Sequence, residues 1–219
     1  MVSRTVTSRQ SAPHPRLAEI VSRHLESTYR RSPGAHGRDA FARVADRLAA
    51  ANGEFVLDAG CGTGASTFAL ACRFPRRFVL GVDKSAARLA VGTRTIDRGA
   101  APDNAALLRC DLVDFWQLAA AAQLRCHTQF VLYPNPWPKP EHVMRRWHAH
   151  PVLTTMLSLG GEFELRTNWQ VYAAEFAQAL RHAGREAKLE KLEAVDPLTP
   201  FERKYAAAGQ ALWRCLVFA

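Results

Sequence analysis

Apolar and polar residues alternate in blocks along this chain. From residue 54 onward, short apolar runs rich in β-formers recur, and helix-length stretches rich in Ala, Leu and Arg separate them. These runs predict strands over 54–58, 77–83, 106–111, 128–133, 161–167, 187–193 and 211–218. Strands that alternate with helices form βαβ units, whose parallel sheet is covered by helices on both faces. The pattern therefore predicts an α/β, Rossmann-like fold.

The residues ahead of the first predicted strand follow another pattern. Residues 1–16 are polar and contain Pro13 and Pro15, so we expect a flexible basic N-terminal arm. Residues 17–31 and 38–51 predict two helices, which Ser32-Pro33-Gly34 separates. A length of 219 residues is typical of one domain, and we expect 17–219 to form it, N-terminal helices included.

Composition narrows the class of partner and the compartment. The formal net charge of +9 favours a polyanionic partner, nucleic acid first, although a basic protein without such a partner is the alternative. No run approaches the roughly 18 apolar residues of a membrane span, and the start lacks the apolar region of a secretory signal. The five cysteines are odd in number and form no CxxC, which fits reduced thiols. We expect a cytoplasmic protein without membrane contact; an organelle transit peptide is the alternative for the Arg/Ser-rich start.

A glycine-rich segment follows the first predicted strand and opens a helix. It reads Asp58-Ala-Gly60-Cys-Gly62-Thr-Gly64. Glycines let the backbone pass close to a ligand, but dinucleotide folds use similar turns. The spacing D-x-G-x-G-x-G lacks the third glycine of GxGxxG at its usual place, and Asp58 is placed to accept from a methionine ammonium group. The segment therefore favours S-adenosyl-L-methionine over NAD.

Two further acids end the next two predicted strands. Asp83 can accept both ribose hydroxyls, and Asp111 ends the third strand, where an adenine amino group would lie. An Asp after a strand is also a common helix N-cap, which is the alternative for each acid taken alone. Three acids at three successive strand ends favour cofactor binding, because ligands bind at the carboxyl edge of such sheets.

The fourth predicted strand runs into a proline-rich loop, Tyr133-Pro-Asn135-Pro-Trp137-Pro-Lys139. Three prolines in five residues stiffen this loop at the edge that faces the methyl donor. Asn135 offers an acceptor and a donor, and Trp137 offers a face for base stacking; a structural turn with a packed Trp is the alternative. Downstream, Arg145-Arg146 are candidates for phosphate contact or for a solvated basic surface.

The loop and two later motifs resemble the bacterial tRNA (guanine-N7-)-methyltransferase family. That family's loop reads P-D-P-W-P-K, followed by a His and basic residues; this chain has Pro134–Lys139, then His142 and Arg145-Arg146. The family's T-D-W and its later T-x-F-E are matched by Thr167-Asn168-Trp169 and by Thr199-Pro200-Phe201-Glu202. The resemblance covers roughly residues 53–218. It implies a class I methyltransferase with a seven-stranded, mostly parallel sheet, an antiparallel last strand and helices on both faces.

The resemblance also implies roles for individual residues. Asp58, Asp83 and Asp111, with the three loop glycines, would hold S-adenosyl-L-methionine. Asn135 would sit between the cofactor and the target base. The tRNA guanosine would be contacted by Lys139, Asn168, Thr199, Phe201 and Glu202, with Trp137, Arg145 and Arg146 as further candidates. The substrate would be the variable-loop guanine of tRNA.

Two departures from the family pattern bear on the mechanism. Its two active-site aspartates are Asn135 and Asn168 in this chain. Guanine N7 carries a lone pair and no proton, so methyl transfer needs an in-line position but no general base. Positive charge grows on the guanine ring during transfer, and an Asn opposes it only with its carbonyl dipole, so we expect a slower enzyme.

Other functions remain open at this stage. Asn135-Pro136-Trp137 partly resembles the N-P-P-aromatic motif of enzymes that methylate exocyclic amino groups of RNA or DNA. A small-molecule methyltransferase and a catalytically weakened protein that binds cofactor and tRNA are further alternatives. We expect no metal, and a monomer or small homo-oligomer.

Overall fold

The computed structural model describes residues 5–52, 54–193 and 195–218. Seven strands form one mixed sheet in the order β3-β2-β1-β4-β5-β7-β6. The strands are β1 (Phe55–Ala59), β2 (Val79–Asp83), β3 (Ala105–Arg109), β4 (Cys126–Leu132), β5 (Glu162–Thr167), β6 (Ala187–Leu192) and β7 (Leu212–Val217). β1 pairs in parallel with β2 and β4, and β2 with β3, whereas β7 is antiparallel to both β5 and β6. The expected α/β sheet with an antiparallel last strand is confirmed.

The helices of the described residues lie between these strands and ahead of them. They are α1 (Leu17–Leu25), α2 (Ala35–Ala42), α3 (Ala45–Ala50), α4 (Ala65–Arg73), α5 (Ala86–Asp97), α6 (Leu112–Ala121), α7 (Leu153–Ser158), α8 (Gln170–His182) and α9 (Pro200–Ala207). Two short 3-10 helices, Pro140–Arg145 and Trp147–Ala149, follow the proline-rich loop.

The two N-terminal helices predicted from sequence differ in extent from the observed ones. The helix predicted over 17–31 ends at Leu25, ahead of Ser27 and Thr28, whose side chains favour non-helical backbone. The helix predicted over 38–51 is two helices, because the backbone leaves helical geometry at Val44, with φ −121° and ψ −2°. The Val44 N–H bonds to Phe41 O, three residues back, which marks a tight turn between α2 and α3.

The chain divides into two compact units. The first unit (residues 31–130 and 158–161) contains β1–β3, most of β4, and α2–α6. β1 and β2 are buried at all five positions each, as expected for central parallel strands covered on both faces. β1 carries Asp58 as its last residue but one and leads into the glycine-rich loop, and β2 ends at Asp83.

The second unit (residues 1–30, 131–157 and 162–219) contains α1, β5–β7, α8 and α9, and all of α7 except its last residue. α8 packs on β5, β6 and β7 and against α1. Eight of its thirteen residues are buried, among them Glu175, the charged member of an otherwise apolar and aromatic face. The expected single domain over 17–219 stays a prediction.

Candidate cofactor loop and target-base loop

The glycine-rich segment forms a tight loop from β1 into α4 within the first unit. Gly60, Gly62 and Gly64 have φ of 86°, 59° and 82°, which is left-handed backbone that favours glycine. A Cβ added at Gly62 would meet nothing within 4 Å, so this part of the loop borders open space. The N–H groups of Gly60 and Cys61 both bond to Val82 O, which anchors the loop to β2.

Asp58, on β1, keeps one carboxylate oxygen without a protein partner. The residue is 1% exposed. Oδ2 accepts the hydroxyls of Ser66 (2.6 Å) and Thr67 (2.8 Å), while Oδ1 is buried with no partner among the described residues. Burial raises the pKa of Asp58 to about 6, against the lowering effect of the two hydroxyls. An orphaned carboxylate oxygen at this place fits the ammonium group of a methionine moiety.

Asp83, at the end of β2, is also buried but is more fully used. Its Oδ2 accepts Gly62 N–H at 3.0 Å, and its Oδ1 accepts Ser85 N–H at 2.8 Å. The half-exposed Arg88 pairs with Oδ1 at 3.2 Å. A carboxylate offers about four acceptor positions, so one remains for a ribose hydroxyl, and a second becomes free where Arg88 leaves.

Asp111 caps a helix, which was the alternative to cofactor binding in the sequence analysis. It is the N-cap of α6, and its Oδ1 accepts Val113 N–H at 2.9 Å. The residue is partly exposed. Its contact with an adenine amino group therefore has to use the second oxygen, and stays a prediction.

The proline-rich loop belongs to the second unit and bends sharply twice. Tyr133 and Trp137 have φ of 49° and 45°, which is unusual for residues with large side chains. Asn135 is exposed, and its Oδ1 accepts Trp137 N–H at 3.3 Å, so the amide of Asn135 closes an Asx turn. The Arg145 guanidinium covers the Trp137 ring at 4.8 Å from its centroid. One face of Trp137 is therefore already occupied by a cation within the chain.

Arg146 is buried in the second unit. It is 0% exposed, pairs with the equally buried Glu175 at 2.5 Å, and donates to the backbone carbonyls of Trp137 and Lys139 at 3.0 and 3.3 Å. Its guanidinium also lies 4.8 Å from the centroid of Trp169. A contact of Arg146 with a substrate phosphate, as predicted from the sequence, would require this buried network to open. Its position instead fixes the backbone of the proline-rich loop.

Glu175 is the centre of this network. Its Oε1 accepts Gln10 Nε2 (2.6 Å) and His14 N–H (2.9 Å), and its Oε2 accepts from Arg146 and from His148 Nε2 (3.0 Å). Burial acts to raise the pKa of Glu175, but the hydrogen bonds and charges of His148 and Arg146 outweigh it and lower the pKa to about 2. All four donors satisfy one buried carboxylate, which makes Glu175 a structural anchor.

Part of the N-terminal segment is tied to this network. Ser8 donates its hydroxyl to Pro138 O at 2.5 Å, and Gln10 bridges Glu175 and Arg146. The prediction of a flexible arm over 1–16 includes residues 1–4, which lie outside the described residues. Between Ser8 and His14, the contacts hold the segment against the proline-rich loop.

The C-terminal motif begins α9. Thr199 is the N-cap and accepts Glu202 N–H at 2.9 Å. Glu202 is fully buried and pairs with Arg166 at 2.8 Å, but its Oε2 has no partner among the described residues. Phe201 stacks on Tyr205 with one face but is 52% exposed, which leaves part of its ring open to a ligand.

The remaining predicted contacts differ in exposure. Lys139 and Arg145 are exposed, as a role in binding RNA requires. Asn168 is partly exposed, and its Nδ2 donates to Gln210 Oε1 at 2.9 Å. The roles of all these side chains toward a substrate stay predictions.

Sequence reasoning missed Ser66, Thr67 and Glu175. A polar pair in the first turn of α4 and a Glu on the apolar face of α8 were visible signals, since buried polar groups need partners. Their partners, however, come from other elements. Only the fold brings them together.

Within the described ranges, no helix is long and apolar enough to cross a membrane. The same residues contain no group of three or more His, Cys, Asp or Glu side chains that could hold a metal ion.

The sheet order and the glycine-rich loop after β1 define a Rossmann-like α/β protein with a candidate cofactor loop. Residues 52–215 match the family model described as "Putative methyltransferase", and the chain belongs to this family. A tRNA (guanine-N(7)-)-methyltransferase of Mycolicibacterium gilvum is 33% identical over 175 residues, covering 74% of this chain and 65% of that protein. One of Leifsonia xyli subsp. xyli is 30% identical, covering 72% of each. The chain thus spans less than two thirds of the Mycolicibacterium gilvum relative.

A solved structure supports the fold at a lower level of identity. An antibiotic-related methyltransferase superposes with a TM-score of 0.60 at 15% identity, over 80% of this chain and 92% of that one. At this identity the likeness shows the fold alone.

Proposed function

We propose that this protein is an S-adenosyl-L-methionine-dependent methyltransferase that acts on N7 of the variable-loop guanine of tRNA. The observation that carries the proposal is the buried, unpartnered Oδ1 of Asp58 beside a glycine loop with open space at Gly62. The relatives named as tRNA (guanine-N(7)-)-methyltransferases support the substrate. The net charge of +9 supports a nucleic acid partner.

The first unit would hold the cofactor. Asp58 Oδ1 would accept from the ammonium group, Asp83 from a ribose hydroxyl, and Asp111 from the adenine amino group. The glycine loop would pass close to the ligand, because side chains at Gly60 and Gly62 would fill that space. When bound, the cofactor would supply an electrophilic methyl group.

The second unit would hold the guanosine. Lys139 and Arg145 would contact phosphates, Phe201 would stack, and Asn168 would bond to the guanosine. Glu202 is buried and paired with Arg166, so it would bond to the guanosine through its unpartnered Oε2. Arg146 would act indirectly, because it fixes the carbonyls of Trp137 and Lys139. The loop would therefore meet the base without rearranging, which is how orientation lowers a barrier.

The geometry of Asn135 is compatible with N7 as the target. Transfer to an exocyclic amine is helped by an acceptor for one of its protons, and Asn135 Oδ1 already accepts Trp137 N–H, which leaves one of its two lone pairs for such a contact. Guanine N7 has no proton to give up. An Asn whose oxygen is used in this way is compatible with transfer to N7.

A methylation assay tests the proposal. The protein is incubated with labelled methyl donor and an unmodified tRNA transcript, and the product is mapped by borohydride–aniline cleavage. We expect label at the variable-loop guanine and none in a transcript with adenine at that position. Label on an exocyclic nitrogen would establish the amino-group alternative. Binding of cofactor and tRNA without label would establish the binding-only alternative.

A monomer or small homo-oligomer and a cytoplasmic location stay predictions from the sequence.

A further inference from the structure

Asp58 is held on one side only. Both hydroxyls that reach it, Ser66 Oγ and Thr67 Oγ1, bond to the same oxygen, Oδ2. They come from adjacent residues in the first turn of α4, and both are buried. The carboxylate plane is thereby fixed by α4, and Oδ1 is left as the only oxygen that can receive a ligand.

Thr67 fits against β2 because of a glycine there. Gly81 pairs in register with Asp58, and a Cβ at Gly81 would lie 2.2 Å from Thr67 Oγ1. No side chain at position 81 is compatible with the Thr67 hydroxyl in this place. A glycine inside a strand weakens it, and such a residue often marks a close approach of another group. Gly81 and Thr67 therefore act together to bring the hydroxyl to Asp58.

We propose that Ser66 and Thr67 are positioning residues for the cofactor, which orient Asp58 so that Oδ1 faces the methionine ammonium group. This inference rests on the proposed function, since it presumes that the loop binds S-adenosyl-L-methionine. Neither hydroxyl touches the cofactor in this arrangement. Both act through Asp58.

The two hydroxyls also oppose the effect of burial on the charge of Asp58. Burial raises the pKa of Asp58, the hydrogen bonds of Ser66 and Thr67 lower it, and the nearby Asp83 carboxylate raises it. The Cys61 thiol is the other titratable group beside it, and its own pKa is raised well above the ordinary value. Loss of a hydroxyl donor removes a lowering effect, so the pKa of Asp58 rises further.

The pH dependence of cofactor binding follows from this sign. An ammonium group binds the ionised carboxylate, so affinity falls as pH drops through the pKa of Asp58, by about tenfold per pH unit below it. In Thr67→Val or Ser66→Ala the fall must begin at a higher pH than in the wild type. A purely structural role would instead weaken binding by a similar factor at every pH.

Calorimetry with S-adenosylhomocysteine between about pH 5 and 8 tests the inference. The measured quantity is the pH midpoint, the pH at which affinity for S-adenosylhomocysteine begins to fall. We expect this midpoint to move up by at least half a pH unit in Thr67→Val, and further when Ser66→Ala is added. In Thr67→Ser, which keeps a hydroxyl, it should return to the wild-type value. Thr93→Val is the matched control, because the Thr93 hydroxyl donates to Leu89 O of its own helix. An unmoved midpoint, with the wild type binding, overturns this inference alone. Absence of binding by the wild type overturns the proposed function with it.

A measurement on the wild type covers the case in which a variant fails to fold. The Asp58 carboxyl is followed by carbon NMR with and without S-adenosylhomocysteine. A midpoint that drops on binding supports the contact of Oδ1 with the ammonium group. A midpoint that stays in place contradicts it.

Discussion

Asp58 in the first unit and Glu175 in the second are both buried carboxylates, but their surroundings differ. Glu175 receives four donors on two oxygens, one of them from the Arg146 guanidinium. Asp58 receives two hydroxyls on one oxygen and has no cation in contact among the described residues. The pKa of Glu175 is lowered to about 2, and that of Asp58 is raised to about 6.

The difference distinguishes a structural carboxylate, Glu175, from the carboxylate that we propose to bind the cofactor, Asp58. A buried charge is tolerated when it is paired and fully hydrogen-bonded, as Glu175 is. Asp58 lacks this compensation, so its charged form is disfavoured in the absence of a cation. Under the proposed function, the ammonium group of the cofactor would supply that cation.

The largest expected effect tests the structural carboxylate. Arg146→Met removes the permanent cation and leaves the buried Glu175 with Gln10, His14 and His148 as its donors, and we expect a loss of about 3–5 kcal/mol in the free energy of unfolding. Urea denaturation measures this. Arg145→Met is the matched control, since Arg145 is exposed and stacks on Trp137, which contributes about 0.5–1 kcal/mol. Equal, small losses in both variants would show that Glu175 does not depend on Arg146.

The buried pair also shows where sequence reasoning stops. The sheet, the glycine loop and the acids at strand ends follow from local patterns, and the structure has them. Arg146 looked like a surface cation, because its partners Gln10 and Glu175 lie 136 and 29 residues away in the chain. Burial of a charge depends on such distant contacts, which no local pattern encodes.

Local patterns also do not reveal the partners of Asp58, although the sequence contains one sign of them. Its position at the end of the first predicted strand, ahead of the glycines, predicts a ligand-binding acid. Ser66 and Thr67 looked like ordinary residues of a first helical turn. Gly81 inside β2 was the one local sign of a close approach, and only the pairing of β1 with β2 shows which hydroxyl it makes room for.

The next effect has opposite signs for binding and stability. Asp58→Asn keeps the shape but loses the charge, and we expect affinity for S-adenosylhomocysteine to fall at least about tenfold. Without ligand, the free energy of unfolding at about pH 7.5 should rise by about 1–3 kcal/mol, since a buried uncompensated charge is removed. Calorimetry and urea denaturation measure the two quantities. If the variant lost both binding and stability, Asp58 would be a structural carboxylate like Glu175.

The stability gain of Asp58→Asn should vanish in acid. An acid whose folded pKa is raised costs stability above its folded pKa, and this cost disappears as pH falls from about 6 toward the unfolded value of 3.8. The unfolding curves of wild type and variant should therefore converge near pH 4. The contribution of Glu175 to stability has the opposite pH dependence. Because its folded pKa is lowered, this contribution stays intact above pH 4.5 and is lost as pH falls from there toward about 2. A gain that persists at pH 4 would have a cause other than charge.

Asn135 is an exposed amide and not a buried carboxylate, and its replacement should change the free energies of activation and unfolding least. One amide atom, Oδ1, already closes the turn onto Trp137 N–H, and the exposed Nδ2 is a donor, which cannot stabilise positive charge on a guanine ring. In Asn135→Asp one oxygen can keep the turn while the other faces the growing charge, so we expect single-turnover methylation of tRNA to accelerate by about tenfold, or about 1.4 kcal/mol. Stability should stay within about 0.5 kcal/mol because the side chain is exposed. Asn135→Ala, which loses both the turn and the dipole, should be slower than the wild type. A rate in Asn135→Asp no higher than in the wild type would mean that the position of the base, and not its charge, limits the transfer. The network of Arg146 and Glu175, which holds this loop, would then matter more to the rate than the side chain at position 135.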